Sequence, residues 1–527
     1  MRTRQHEALE QRRLELQAAL DSAKSRAARN KLGQFATPTG LAIDTLCLAK
    51  SLLSKGCRVR FLDPAFGTGA FYSALLWSFP KNRIVWAKAY EIDPHYGQPA
   101  QELWQGTPLA LTLSDFTGVT PPADEEDKAT LIVCNPPYVR HHHLDAGAKL
   151  RLRAASIDAA GVDLNGLTGL YCHFVALSHA WMAKDALAIW LIPSEFMDVN
   201  YGWPLKEYLL NRVTLLRIHR FDPAAVQFDD ALVSSAVVVF RNVEPPEGHI
   251  VEFSFGGMLA EPGQTRALPR ANLCPEAKWT RLAHAPKNHA DENGRVKLGE
   301  LFTIKRGIAT GANDFFVLAE SRAEELDLPR RFLRPILPSP RFLQTDEVEA
   351  DSKDNPLMDS RLLLLDCRLP EDKVRQEYPR LWSYLQTGRT RSIHERYLCT
   401  HRQPWYSQED REPAPILCTY MGRTGHDKSA FRFILNHSKA IAANVYLMLY
   451  PKPAIARIVH DQPGLLRTIW AALNEIPWDA LLRVGRVYGG GLHKMEPKEL
   501  AKAPADTLLA ILPERALPSG KQLTLTW

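Results

Sequence analysis

An amide, two prolines and a phenol stand together at Asn135-Pro136-Pro137-Tyr138. Prolines stiffen the loop, the amide both donates and accepts hydrogen bonds, and the ring offers a flat face. Such a platform suits a planar amine, held by hydrogen bonds and by stacking. The plainer reading is a loop that happens to contain prolines. Acidic residues stand upstream where a nucleoside-bearing ligand would need them. Asp63 opens Asp63-Pro64-Ala65-Phe66-Gly67-Thr68-Gly69. There Gly67 and Gly69 let a ligand approach the backbone, and the carboxylate suits a cationic group. Glu91, roughly 20 residues further on, is spaced to take ribose hydroxyls. Asp115 could accept from an adenine amine while Phe116 lies on the ring. Against these stand a simple tight turn and charged residues closing strands.

Each candidate follows an apolar run. Residues 59–62, 83–90, 109–113 and 131–133 read as strands, and 39–53 and 70–76 as helices. Strand, glycine turn and helix make the first βα unit of a doubly wound sheet. No GxxxxGK[ST] string is present, so a phosphate-cradling loop is not supported. Thr37-Pro38-Thr39 either caps the helix that follows or offers hydroxyls to a carboxylate. Further on, 168–182 reads as an amphipathic helix, and 188–192, 215–221 and 232–240 as strands. Residues 1–31 read as a charged helix: a solvated stripe, a dimer contact or a basic arm. His141-His142-His143 cannot all face one ion, so no metal is expected.

With 527 residues the chain is too long for one core, and two or more domains are expected. Hydrophobic residues make up 45% and charged residues 24%, the balance of a water-soluble globular protein. No apolar run reaches membrane-spanning length, and the N-terminal residues lack the apolar core of a secretion signal. The eight cysteines include no CxxC pair, which argues against a zinc site or a disulfide framework and for a reducing cytoplasm. A net charge of +6 permits a polyanionic partner.

The order Phe35-Ala36-Thr37-Pro38, Asp63 to Gly69, Tyr90-Glu91-Ile92-Asp93, Ser114-Asp115-Phe116 and Asn135 to Tyr138 resembles one family. It is the γ class of S-adenosylmethionine-dependent amino-group DNA methyltransferases of type II restriction-modification systems, which make N6-methyladenine. The segments Pro193-Ser194-Glu195-Phe196 and Pro404-Trp405-Tyr406 resemble its PstI/BsuBI subgroup.

The resemblance implies an α/β, Rossmann-like methyltransferase domain over 32–245 and an α+β target-recognition domain over 296–527; the scattered Pro, Gly, Asn and charged residues between them read as a trailing hairpin and then a linker, 246–295. It implies S-adenosylmethionine as cofactor, with Thr37 on its carboxylate and Asp63, Pro64, Gly67 and Gly69 around its methionine part. Glu91 would take the ribose and Asp115 the adenine, and Phe35 and Phe116 would be apolar walls. Asn135 and the Pro136 carbonyl would accept from the target amine, and Tyr138 and Phe228 would stack on the flipped base. Phe228 could instead be a core residue. Lys305, Arg306, Arg402, Trp405, Tyr406, Arg423 and Lys494 are candidates for DNA contact. The implied partners are double-stranded DNA and a separately encoded restriction endonuclease, with no membrane, and the state is a monomer or weak dimer. N4-cytosine methylation and an inactive DNA-binding specificity component are the alternatives.

Overall fold

The computed structural model of the protein describes residues 2–222, 234–284, 296–423, 430–488 and 492–513, and divides near residue 287 into two compact units. In the first, the strands are β1 (Val59–Asp63), β2 (Ile84–Glu91), β3 (Leu109–Leu113), β4 (Ala129–Cys134), β5 (Met182–Pro193), β6 (Thr214–Arg220), β7 (Ser235–Arg241), β8 (Ile250–Gly257) and β9 (Pro262–Pro269). They form one sheet in the order β3-β2-β1-β4-β5-β7-β6-β8-β9. The first five pair in parallel, and β7 runs antiparallel between β5 and β6.

Side-chain alternation splits the core into two layers. Phe61, Leu131, Val133 and Ile189 face one, and Leu62, Ile132, Cys134 and Trp190 the other. Both faces are therefore covered, which is why Phe61-Leu62 of β1 and Leu131 to Cys134 of β4 are apolar at consecutive positions. The helices are α1 (Arg2–Ala23), α2 (Arg26–Leu32), α3 (Thr39–Leu52), α4 (Ala70–Ser78), α5 (Pro94–Leu103), α6 (Ala146–Ala160), α7 (Leu170–Ser178) and α8 (Trp203–Asn211). Strand order reverses at β1, whose neighbours are β2 and β4. Ligands of such sheets bind at the carboxyl ends beside that reversal. Asp63, Glu91, Ser114 and Asn135 all stand there.

Three expectations need correction. Residues 250–269, inside the range given to the linker, form the expected hairpin and belong to the sheet: β8 pairs in parallel with β6, β9 closes on β8, and the sheet grows by two strands. The charged N-terminal helix breaks at Lys24, where Ser25 caps α2 by accepting from the Ala28 N–H. And α7 ends at Ser178, with β5 already begun at Met182.

The second unit is α+β. Its five-stranded sheet has the order Phe302–Arg306, Tyr446–Pro451, Ile416–Thr419, Phe433–Asn436, Glu347–Val348. A three-stranded sheet centres on Leu362–Leu365, and another joins Met421–Arg423, Leu492–Lys494 and Arg486–Tyr488. Among the described residues, no helix is long and apolar enough to cross a membrane.

Candidate active site

The loop after β4 is clamped to the segment between α2 and α3. The Tyr138 N–H donates to the Gly33 carbonyl at 3.1 Å. Asn135 Nδ2 donates to the Phe35 carbonyl at 3.0 Å and to Thr37 Oγ1 at 3.1 Å. A carbonyl can only accept, so the amide's NH2 end must face Phe35 and its oxygen must face away. That oxygen, Asn135 Oδ1, is buried and has no hydrogen-bond partner. A buried acceptor left unmade costs about 1–3 kcal/mol, so the platform is built to receive a donor. The Thr37 hydroxyl does not cap α3, whose N-cap is Pro38 without a side-chain bond. It orients the amide instead.

Tyr138 is only 7% exposed, with its hydroxyl donating to the Leu191 carbonyl at 3.1 Å and its ring tilted against Phe35 at 5.5 Å. In this arrangement it backs the platform, and a base could stack on it only after a neighbour shifts. Pro136 is buried beside it. Phe228 lies outside the described residues.

Asn135 and Pro137 border a cavity of about 660 Å³ that runs along the strand ends. That size lies within the range of small-molecule sites. Phe35, Pro64, Gly67, Glu91, Asp115 and Phe116 line it, which brings together most of the residues expected around a cofactor. Glu91 accepts from the Gly67 N–H at 2.8 Å and the Asp93 N–H at 2.9 Å. Burial pushes its carboxyl up, against the pull of these bonds. Asp115 Oδ1 accepts from the Thr117 N–H at 2.9 Å and hydroxyl at 2.8 Å, while Arg151 of α6 stands 3.7 Å from Oδ2. Phe116 is fixed by Tyr90, Phe174 and Trp181.

Asp63 is one layer deeper, 1% exposed, accepting from the Ala65 N–H at 3.2 Å. Burial first, and then the nearby Glu91 charge, raise its carboxyl to about 7. It shapes the loop under Pro64 and Ala65 rather than forming the wall. Gly69 caps α4 at φ 90°, where a Cβ would meet Phe66 at 2.5 Å and Trp104 at 2.7 Å. It serves packing, and the Gly67 N–H serves Glu91. The sequence did not point to Arg151, because an arginine on a polar helix carries no periodic signal.

Of the expected DNA contacts, Lys305, Arg306 and Arg423 are exposed in the second unit. Arg306 lies 4.0 Å and Lys494 5.3 Å from the Tyr420 ring, so two distant segments bring their cations to one aromatic. Lys494 also pairs with Glu496 at 2.9 Å. The other three candidates are corrected. Tyr406 is fully buried with its hydroxyl on the Leu369 carbonyl, and Trp405 packs on Phe315 and Phe316. Arg402 donates to the Thr310 carbonyl at 2.8 Å and to Gln408 at 3.1 Å. Tyr406 and Trp405 are core residues by burial and packing, and Arg402 ties its segment to the loop at Ala309 and Thr310. Gly489-Gly490-Gly491, a run that would let a backbone press against DNA, lies outside the described residues. His141–His143 forms an exposed turn with no buried member, and His143 borders the cavity. Glu347, Glu349 and His437 come together in the second unit, where the Arg467 guanidinium already bridges the two carboxylates.

Comparison with known proteins covers both units. Residues 82–227 match the Eco57I restriction-modification methylase family, and 278–522 match the C-terminal domain of the type II methyltransferase M.Eco57I. The chain is 29% identical over 491 residues to type II methyltransferase M.AccI of Acinetobacter calcoaceticus, covering 90% of this chain and 85% of that one. Similarity to M.BsuBI of Bacillus subtilis is 25% over 230 residues, 40% of this chain and 43% of the other, so the subgroup resemblance is partial. The fold is shared with the type IIL restriction-modification enzyme MmeI, solved in complex with DNA. There the TM-score is 0.50 at 13% identity, over 84% of this chain and 66% of MmeI. With both units matched and nine-tenths of its length aligned, the chain belongs to the type II restriction-modification methyltransferases.

Proposed function

We propose that this chain transfers a methyl group from S-adenosylmethionine to the N6 amine of an adenine flipped out of double-stranded DNA. It would thereby protect host DNA from a separately encoded endonuclease in the same cytoplasm. The observation that carries this reading is Asn135 Oδ1, buried, unpartnered and fixed in direction beside the cavity.

An adenine amine is a poor nucleophile because its lone pair is delocalised into the ring. An acceptor held against an amine hydrogen favours a pyramidal nitrogen and localises the pair. Asn135 Oδ1 is placed to be that acceptor, and the Pro136 carbonyl is the second. Held in one direction by Phe35 and Thr37, Asn135 Oδ1 would act on charge as it develops without reorganising at the moment of reaction. Bound S-adenosylmethionine supplies an electrophilic methyl on a positively charged sulfur. Of the rest of that molecule, Glu91 would take the ribose and Asp115 the adenine, with Phe35 and Phe116 as apolar walls. Flipping the base costs a few kcal/mol. Phe228, with Tyr138 after local adjustment, would return roughly 1–3 kcal/mol per stacked base. DNA as substrate draws further support from MmeI and from the exposed Lys305, Arg306 and Arg423.

Incubation with unmethylated DNA, digestion to nucleosides and mass spectrometry tests the reading, with N6-methyladenine as the expected product. N4-methylcytosine alone would move the target to cytosine, whose exocyclic amine suits the same platform. No methylated nucleoside despite intact cofactor binding would favour a DNA-binding specificity component.

A further inference from the structure

The N-terminal helix is fastened to the cavity by its polar face. Arg13 of α1 is 1% exposed, and a buried guanidinium is tolerable only when fully paired. Its partners are Glu10 at 2.6 and 2.8 Å, Thr39 at 3.1 Å and Thr68, in the loop after β1, at 3.2 Å. One turn on, Gln17 accepts from the Thr68 hydroxyl at 2.6 Å and donates to Asp21 at 3.0 Å. Asp21 accepts from the Tyr96 hydroxyl at 2.8 Å, and the Leu20 carbonyl pairs with the His95 ring at 2.9 Å. Lys24 pairs with Asp93 and donates to Gln34 at 3.3 Å. The helix is thus tied to the loops after β1 and β2, and Gln17, Asp21 and Lys24 border the cavity beside Glu91.

The charges there are uneven. Asp21, Glu91, Asp93 and Asp115 border the cavity against Lys24, Lys31 and Arg151, with Arg151 3.7 Å from Asp115 and Arg29 3.8 Å from Asp21; the acidic excess suits the sulfonium and ammonium groups of S-adenosylmethionine but opposes its carboxylate. Lys24 offsets that opposition: it neutralises Asp93, donates to Gln34 and leaves one ammonium hydrogen to spare.

We propose that α1 is a wall of the cofactor site, with Asp21 receiving the cofactor's ammonium and Lys24 its carboxylate. This rests on the reading that the cavity takes S-adenosylmethionine. The test is calorimetric titration of the full-length protein and its Asp21→Ala, Lys24→Ala and Asp115→Ala variants. Each is titrated with S-adenosylmethionine and with its decarboxylated analogue. Lys24→Ala should weaken S-adenosylmethionine about five- to tenfold and leave the analogue's affinity unchanged. Asp21→Ala should weaken both ligands, with thermal midpoints close to wild type. Equal weakening of both ligands by Lys24→Ala would overturn the carboxylate pairing and reduce Lys24 to a scaffold. Unchanged affinities in both α1 variants, with Asp115→Ala weakened, would overturn the inference and keep the cavity as the cofactor site. Unchanged affinities in all three would overturn both.

Discussion

Asn135 uses one end of its amide for structure and keeps the other for chemistry. Replacing it by Ala removes the acceptor but leaves the cavity walls. Methyl transfer should fall by about 10²–10³-fold, the usual cost of one preorganised transition-state contact, while cofactor affinity stays within about threefold. Single-turnover rates beside equilibrium titration would show the split. Thr37 separates two roles cleanly. If its hydroxyl orients Asn135, as the 3.1 Å contact indicates, Thr37→Val lowers the rate about tenfold and spares cofactor binding. If it holds the cofactor carboxylate, affinity falls first and the rate at saturation is kept.

Asp63 makes a statement about pH. Its carboxyl keeps its proton to about pH 7 in the folded protein, against an ordinary value near 3.8. Between those values the folded state binds more protons than the unfolded one, so stability falls as pH rises through that window. Asp63→Asn keeps the acceptor for the Ala65 N–H and removes the titration. Thermal unfolding should show a variant that loses about 2–4 kcal/mol less than wild type between pH 4 and pH 7.5.

At the scale of elements, the question is how the loop after β4 stays where the strand delivers it. Gly33 ends α2 at φ 66°, and a Cβ there would lie 2.3 Å from the Tyr138 backbone nitrogen. Backbone cannot swing aside as a long side chain can. Gly33→Ala should therefore push the loop off Phe35 and Thr37 and cost about 2–4 kcal/mol. A circular-dichroism melt and a methylation assay would record both losses. Survival of full activity would mean that the clamp between these two segments is dispensable. Elements also explain why a polar helix such as α1 stays folded: its partners are side chains of other elements, not an apolar stripe.

At the scale of the whole chain, the second unit is expected to supply phosphate contacts. Lys305→Ala and Arg423→Ala remove exposed cations without disturbing a core. Each should weaken DNA binding across all sequences and flatten the logarithmic salt dependence by about one. Arg402→Ala should lower the melting temperature and leave the salt slope unchanged, since its guanidinium is turned to the Ala309 and Thr310 carbonyls and to Gln408. Fluorescence anisotropy at several salt concentrations distinguishes the two outcomes.

The sequence by itself determined the order of the motifs, the four strand ends that carry them and the acidic character of the cavity. Those features are local: an apolar run of five residues, a glycine turn or a carboxylate after a strand is complete within a short window. Tertiary structure alone decided the rest. Thr37 meets Asn135 across 98 residues and Arg13 meets Thr68 across 55, and no spacing rule links such pairs. Trp405 and Tyr406, among arginines, suit base contact or packing alike until burial places them inside. The hairpin over 250–269 joined the sheet because β6 offered an open edge whose backbone groups needed partners. Burial and pairing over long separations are set by the folded chain as a whole, and they are what turned a list of candidate residues into a site.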